Sequence, residues 1–222
     1  YVNRCENNSC TPIFRIPSNS DWMALQVLDQ GGHGVMAPHI DDKDSAQLLV
    51  DSTKYHPNGK RGFTPFTKAG GFTNLHGDVY AEKANEFTLV SIIVESKEAL
   101  ENLDEILEVD DIDVVYFGAS IEFFHDLNGL FEKIKNYQPK LIVVSNSPFA
   151  EEHKTFTTGM YTFHGKFITP MTVYNINEFI KFFSKNNYEI KHKSIMQKYD
   201  KGFYDSLGIQ ARKYNLVFEN KL

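Results

Sequence analysis

The chain has 222 residues, 41% of them hydrophobic, and a net charge of −6 at pH 7. This length suffices for one α/β domain or two small ones with a buried core. The acidic balance argues against a nucleic-acid partner, which usually needs a basic face. The longest apolar runs are strand-sized, far short of the roughly 20 residues of a membrane span, so we expect no membrane partner. Without a visible secretory signal we expect a cytoplasmic protein, with Cys5 and Cys10 as reduced thiols.

Strand and helix patterns alternate along the first half, which is typical of an α/β fold with a parallel sheet. A predicted helix that ends at Gly31 and Gly32 separates the first two strands. A long polar loop, residues 56–74, interrupts the pattern, and loops of this length are usually functional or mobile. The predicted strands are 12–16, 34–38 and 88–95, and the predicted helices are 21–30, 41–55, 78–87 and 97–109.

The second half begins with IDVVYFG, residues 112–118, an apolar run that predicts a buried parallel strand ending at a glycine. Another long loop, residues 146–170, precedes the last predicted helix. The two closing strands could form an antiparallel edge. Besides the first strand, the predictions for this half are helices at 126–137 and 175–187 and strands at 140–145, 188–194 and 212–218.

Three phrases of the first half, VLDQGGHGVMAP, KYHPNGKRG and VESKEALENLDEI, follow one another in a specific order and spacing. Over about residues 1–120 the chain resembles the HpcH/HpaI aldolase/citrate lyase family. The resemblance implies a TIM-type barrel enzyme, of which this stretch would be about half. It also implies a divalent metal, Mg²⁺ or Mn²⁺, a small 2-keto acid substrate, cleavage or formation of a carbon–carbon bond, and a homo-oligomer.

The same resemblance assigns roles to individual residues. Arg15 matches the family arginine that reaches the substrate carboxylate or carbonyl, and Glu95 matches a metal-binding carboxylate. Asp29 matches the acid that orients the catalytic histidine, and Gly118 and Ala119 match a substrate-binding loop. From the pattern alone, Arg15 also suits a surface turn, Glu95 a helix cap and Asp29 a helix end.

The sequence departs from the family at two chemically demanding positions. Ile121 stands where a second metal carboxylate is expected, and the side chain of the adjacent Glu122 would point elsewhere. His33 and His39 do not match the general-base histidine, which in the family precedes the residues matched here. We therefore expect any lyase activity to be weak or absent.

From DVVYFGASIEFF to RKYNLVFENKL, the chain resembles the C-terminal half of a family of S-adenosylmethionine-dependent methyltransferase-like proteins found near surface-polysaccharide genes. Such enzymes bind their cofactor through a glycine-rich loop that follows a strand. The stretch VLDQGGHG, residues 27–34, mimics that loop, but it follows a predicted helix. We therefore do not expect S-adenosylmethionine as a cofactor.

These observations predict a composite α/β chain. Partial TIM-barrel βα units over 1–120 continue into a Rossmann-like, methyltransferase-type half sheet over 112–222, and both share the strand 112–118. The formal charge changes from −9 before residue 112 to +3 after it, which favours two origins. The function expected first is a metal-dependent carbon–carbon lyase of the pyruvate aldolase type. The alternatives are a methyltransferase-like protein of surface-polysaccharide biosynthesis and a non-catalytic α/β binding domain.

Overall fold

The computed structural model describes residues 1–72, 77–161, 168–196, 209 and 211–221. The chain divides into two compact units, Tyr1–Val115 and Tyr116–Leu222. The division falls within a strand that both halves were expected to share. Within the described part, no helix combines the length and apolar character that crossing a membrane requires.

The first unit is built from consecutive βα units. Its strands β1, β2 and β3 are parallel neighbours, with Ile13 opposite Gly34 and Gly34 opposite Leu89. The α/β class with parallel strands, predicted from the alternating pattern, is confirmed. In chain order the elements are α1 (Val2–Glu6), β1 (Ile13–Arg15), α2 (Asp21–Asp29), β2 (Gly34–Ala37), α3 (Lys43–Thr53), α4 (Gly77–Phe87), β3 (Leu89–Ile93), α5 (Lys97–Glu101), α6 (Leu103–Leu107) and β4 (Val114–Gly118), which spans the division.

Local sequence signals explain where several of these elements begin and end. Asp42 accepts a hydrogen bond from the Ser45 backbone N–H and forms a capping box with it, which starts α3. Gly31 has a φ of +92°, a conformation that glycine adopts without strain, and it turns the chain from α2 towards β2. The single helix predicted over 97–109 is instead two short helices that meet at Asn102.

The core of the first unit lies between the strands and the helices packed on them. Its buried apolar residues include Ala24, Leu28, Val35, Ala46, Leu49, Val50, Val90 and Ile92. A charged pair accompanies this core: Lys54 and Asp113 are both buried, with Nζ 3.8 Å from the carboxylate. Lys54 Nζ also donates to the carbonyls of Asn85 and Thr88, each at 2.7 Å. Asp113 accepts from the backbone N–H of Val90 at 2.9 Å.

The second unit is a mixed sheet with helices. The strand β5 pairs in parallel with β7 and antiparallel with β9, while β7 pairs antiparallel with β6. The antiparallel pairing predicted for the two closing strands, β8 and β9, is confirmed. After β4 the elements are a 3₁₀ turn (Ile121–Phe123), α7 (Leu127–Ile134), β5 (Leu141–Ala150), β6 (Phe156–Tyr161), β7 (Ile168–Asn175), α8 (Ile176–Lys185), β8 (Tyr188–Ile195) and β9 (Ala211–Asn220).

Aromatic packing supports the second unit. Phe179 and Phe183 of α8 are buried and contact each other, and Phe183 stacks on Phe218 with ring centroids 4.5 Å apart. Asn175 caps α8 by accepting hydrogen bonds from two backbone N–H groups. The loop predicted over 146–170 is partly strand, because β5 runs on to Ala150 and β6 follows it; residues 162–167 of that loop lie outside the described residues.

The buried Lys54 yields a stability prediction. In Lys54→Met the Asp113 carboxylate keeps its buried position without its cation, and the carbonyls of Asn85 and Thr88 lose a donor. We expect the free energy of unfolding to fall by about 3 kcal/mol or more. Lys43→Met is the matched control, because the Lys43–Glu108 pair is about half exposed and should contribute less than about 1 kcal/mol. Urea titrations of both variants measure the difference, and equal losses would contradict a structural role for Lys54.

Candidate functional site

Arg15 is the last residue of β1, and its side chain is exposed. It lies opposite Met36 of β2, and Met36 lies opposite Ser91 of β3. Because the three strands are parallel, their carboxyl ends share one edge, which we call the carboxyl edge of the first unit. In the described part of the chain, the Arg15 guanidinium has no hydrogen bond or ion pair, so it is available to an anion.

Glu95 follows β3 by two residues and therefore also lies at the carboxyl edge. Its side chain is 29% exposed, and its Oε1 accepts a hydrogen bond from the His39 backbone N–H at 3.2 Å. The His39 imidazole Nδ1 is 3.5 Å from the same oxygen. His39 has a φ of +54°, an uncommon conformation for a residue with a side chain. The loop after β2 is thus turned so that His39 meets Glu95.

Asp41 strengthens the contact between the loops after β2 and β3. Its carboxylate accepts a hydrogen bond from the Ser96 hydroxyl, and its carbonyl accepts one from the Asn102 side chain at 2.9 Å. Ser96 also caps α5 by accepting from the Ala99 backbone N–H. Asp41 was not identified from the sequence, where the only signal was its place at the start of the helix predicted over 41–55.

The donor set at this edge is small for a metal ion. Among the described residues, no three His, Cys, Asp or Glu side chains are grouped so that they could hold a metal. Glu95 offers one carboxylate, and Asp41, whose carboxylate accepts a hydrogen bond from Ser96, offers at most one more. Divalent cations such as Mg²⁺ and Ca²⁺ take about six or more ligands, mostly oxygens. The described residues therefore do not by themselves fit the divalent metal that the resemblance implies.

Asp29 is placed at the opposite edge of the first unit. It is the last residue of α2, the helix that returns the chain from the carboxyl end of β1 to the start of β2. Its carboxylate accepts a hydrogen bond from Arg61 Nη2 at 2.8 Å, and the Arg61 side chain is only 2% exposed. The structure therefore groups Arg15 with Glu95 but separates Asp29 from both. Arg61 was not identified from the sequence as its partner.

The remaining candidates lie in the second unit. Gly118 ends β4, and Ala119 has a φ of +53° and donates its N–H to the Ser145 carbonyl at 2.9 Å. Ile121 is 1% exposed, so its side chain belongs to the apolar interior. Glu122 is also buried, and its carboxylate accepts a hydrogen bond from the Ser147 hydroxyl at 2.9 Å.

A family model confirms the resemblance of the first half. The model described as HpcH/HpaI aldolase/citrate lyase matches residues 3–130, more than half of the chain. The chain belongs to the HpcH/HpaI aldolase/citrate lyase family.

Curated relatives match the same region. The hydroxypyruvate/pyruvate aldolase of Roseobacter denitrificans is 37% identical over 110 residues, which cover 49% of this chain and 42% of that protein. The 2-keto-3-deoxy-L-rhamnonate aldolase of Salmonella gallinarum is 39% identical over 110 residues, covering 49% of this chain and 40% of that protein. The chain thus spans about two fifths of the length of these relatives.

Two solved structures are similar to this chain in fold. An HpcH/HpaI aldolase from Desulfitobacterium hafniense has a TM-score of 0.54 at 23% identity, covering 61% of this chain and 56% of that one. Citrate synthase SbnG has a TM-score of 0.52 at 23% identity, covering 62% and 58%. An S-adenosylmethionine-dependent methyltransferase structure from Listeria monocytogenes reaches a TM-score of only 0.38 at 10% identity, covering 63% and 84%, which is too low to support an argument.

Glu122 yields a pH-dependent prediction. Burial raises the pKa of its carboxyl above the ordinary value of 4.5, although the Ser147 hydrogen bond and the charge of Lys213 act in the opposite direction. As pH rises past 4.5, the Glu122 carboxyl therefore loses its proton first in the unfolded chain. The free energy of unfolding then falls with pH until the pKa of Glu122 in the folded protein is passed.

We accordingly expect Glu122→Gln to be more stable than the unmodified chain at pH 7, since the amide oxygen can still accept from Ser147. The difference should vanish at about pH 4, where the carboxyl is largely protonated in both states. Urea midpoints at the two pH values measure it. Glu132→Gln, at an exposed position of α7, is the control and should change little at either pH. A less stable Glu122→Gln at pH 7 would show that the buried carboxylate is stabilising.

Proposed function

We propose that this chain provides part of a carbon–carbon lyase of the aldolase type, acting on a small 2-keto acid. The observation that carries the proposal is the Arg15 guanidinium, which has no partner among the described residues and lies at the same edge as Glu95, in a chain of the HpcH/HpaI family. The named activities of the relatives, which include a pyruvate aldolase, support this class. This chain spans only about two fifths of these relatives, so the complete activity must be tested by experiment.

The geometry supports a binding role for Arg15. A guanidinium can hold a carboxylate through two parallel hydrogen bonds, and sites in α/β folds form where parallel strands end. When the bond next to a 2-keto acid breaks, its electron pair remains on the keto-acid fragment as an enolate. A fixed positive charge near the enolate oxygens stabilises that state more than the uncharged carbonyl. Arg15 would therefore both orient the substrate and favour bond cleavage.

Glu95 is the proposed carboxylate ligand of a divalent cation, and this role rests on the resemblance to the family. The His39 backbone N–H fixes the orientation of the carboxylate but leaves lone pairs free for a cation. Ile121 offers no oxygen, and its side chain is buried. We therefore propose weak metal affinity and slow turnover for the residues described here, with substrate or water supplying further ligands. Further copies of the chain are proposed as its protein partners.

The methyltransferase-like character of the second half remains a separate proposal. Its support is the order of strands and helices, in which β5, α8 and the closing pair β8 and β9 follow the expected sequence. The first three residues of VLDQGGHG are the last three of the helix α2. The glycines of this stretch therefore follow a helix and not a strand. That arrangement disfavours a cofactor-binding glycine loop, because such loops connect a strand to a helix.

The carboxylate-binding role of Arg15 can be tested by calorimetry with pyruvate. Replacing Arg15 by Met removes a charged hydrogen-bond donor, so we expect pyruvate affinity to fall by about tenfold or more. Arg4→Met is the control, because Arg4 is exposed on α1, and it should leave the affinity unchanged. Equal affinity in Arg15→Met and the unmodified chain would remove the basis for the proposed site. Pyruvate release from a 4-hydroxy-2-keto acid with Mg²⁺ or Mn²⁺ then tests turnover.

Calorimetry with S-adenosylmethionine tests the second half. We expect no saturable binding at cofactor concentrations up to about 1 mM, which corresponds to less than about 4 kcal/mol of binding free energy. Saturable binding at micromolar cofactor that is lost in Gly32→Val would promote the methyltransferase hypothesis over the lyase. Circular dichroism of Gly32→Val is needed as a folding control, since a Cβ at Gly32 would lie 3.0 Å from the Val27 side chain and carbonyl.

A further inference from the structure

A cavity of about 160 Å³ lies at the amino edge of the first unit, next to the ends from which β2 and β3 start. Arg15 and Glu95 lie at the opposite ends of the strands, so the cavity is separate from the proposed lyase site. Its volume is below the roughly 300–1,000 Å³ of pockets that hold drug-sized ligands, so it suits only a small group. Its polar lining includes Glu6, His33, Arg61, Lys68, Tyr80 and Thr88.

Arg61 supplies a buried donor that lacks an acceptor. Its side chain is 2% exposed, one terminal nitrogen donates to Asp29, and its guanidinium lies over the Tyr55 ring at 4.5 Å. Within the described residues, Arg61 Nε has no hydrogen-bond partner. An unsatisfied buried N–H costs about 1–3 kcal/mol, and more when the group is charged, so an acceptor at this position would stabilise the fold.

Lys68 brings a second cation to the cavity. Its Nζ donates to Glu6 at 3.0 Å and to the Asn3 side chain, which leaves one of its three hydrogens for another acceptor. A Cβ at Gly31 would lie 3.3 Å from the Lys68 side chain, and the φ of +92° there would strain any other L-residue. The glycine thus allows the lysine to lie close against the turn before β2.

His33 and Thr88 complete the polar lining. The His33 ring packs against Phe87 with centroids 5.4 Å apart, and in the part of the chain that the structure describes neither ring nitrogen has a hydrogen bond. Thr88 is 2% exposed, and its carbonyl accepts from Lys54. Thr88 lines the cavity and, within the described residues, its hydroxyl makes no hydrogen bond, so the hydroxyl can act as a further donor.

We propose that this cavity binds a small oxyanion, either phosphate or a short carboxylate. Arg61 and Lys68 can only donate hydrogen bonds, so the ligand must supply the acceptors. The nearby carboxylates, Asp29 and Glu6, are already engaged by these two cations on the protein side. A small oxyanion fits the volume and satisfies Arg61 Nε, the free Lys68 hydrogen and the His33 or Thr88 donor together.

Titration of the isotope-labelled chain with inorganic phosphate, and separately with acetate at the same ionic strength, tests this proposal. We expect saturable binding of at least one anion, with a chemical-shift change at the Arg61 Nε–H and at His33. The anion that saturates identifies the source, phosphate or carboxylate. Lys68→Met should weaken that binding by about tenfold, because it removes a charged donor. Lys68→Arg should retain most of the affinity.

Two further variants make the result decisive. Lys97→Met removes an exposed lysine that also pairs with a glutamate, so it controls for the change in net charge and should leave binding intact. Ala69→Leu places extra volume in the lining of the cavity and should abolish binding in a chain whose circular dichroism is unchanged. Absence of saturable shifts with both anions, or equal weakening in Lys97→Met and Lys68→Met, would overturn the proposal and leave the cavity to water.

Discussion

The parallel register of β1, β2 and β3 is the constraint on which the rest of the first unit depends. At the amino edge, the His33 N–H donates to the Pro12 carbonyl and the Leu89 N–H donates to His33. At the other edge, the Ile16 N–H donates to Met36. A shift of one residue would send every side chain of a strand to the other face, so these bonds and the buried faces together fix the pairing.

The register explains which candidate residues meet. It places the end of β1 and the loops after β2 and β3 at one edge, where parallel strands leave their last residues. The caps of α3 and α5 then hold the loops in place, because Asp42 and Ser96 stop each loop at a defined residue. Because β1 and β2 are parallel, the helix α2 between them must end at the opposite edge. Asp29, its last residue, therefore contacts Arg61 and not Arg15.

Much of the first unit could be predicted from the sequence because its signals are local. Apolar runs that alternate with helical patterns predicted the three strands, and Gly31 predicted the end of α2. The contacts of Lys54, Asp41 and Arg61 could not be predicted in the same way, since the partners are 32 to 55 residues away and depend on packing. The length of β5 was missed because its later residues, such as Ser147 and Pro148, have low strand propensity and are held by pairing with β9.

The candidate site, too, could be predicted from the sequence only in part. The placement of Arg15 and Glu95 at strand ends followed from the pattern, whereas the orientation of Glu95 depends on the unusual backbone of His39. The most direct test is to locate bound pyruvate on the protein. Isotope-filtered nuclear Overhauser effects from its ¹³C-labelled methyl group measure which residues it contacts. The account predicts cross-peaks to Arg15 and His39 at the carboxyl edge. Cross-peaks confined to His33 and Phe87 at the amino edge would contradict it.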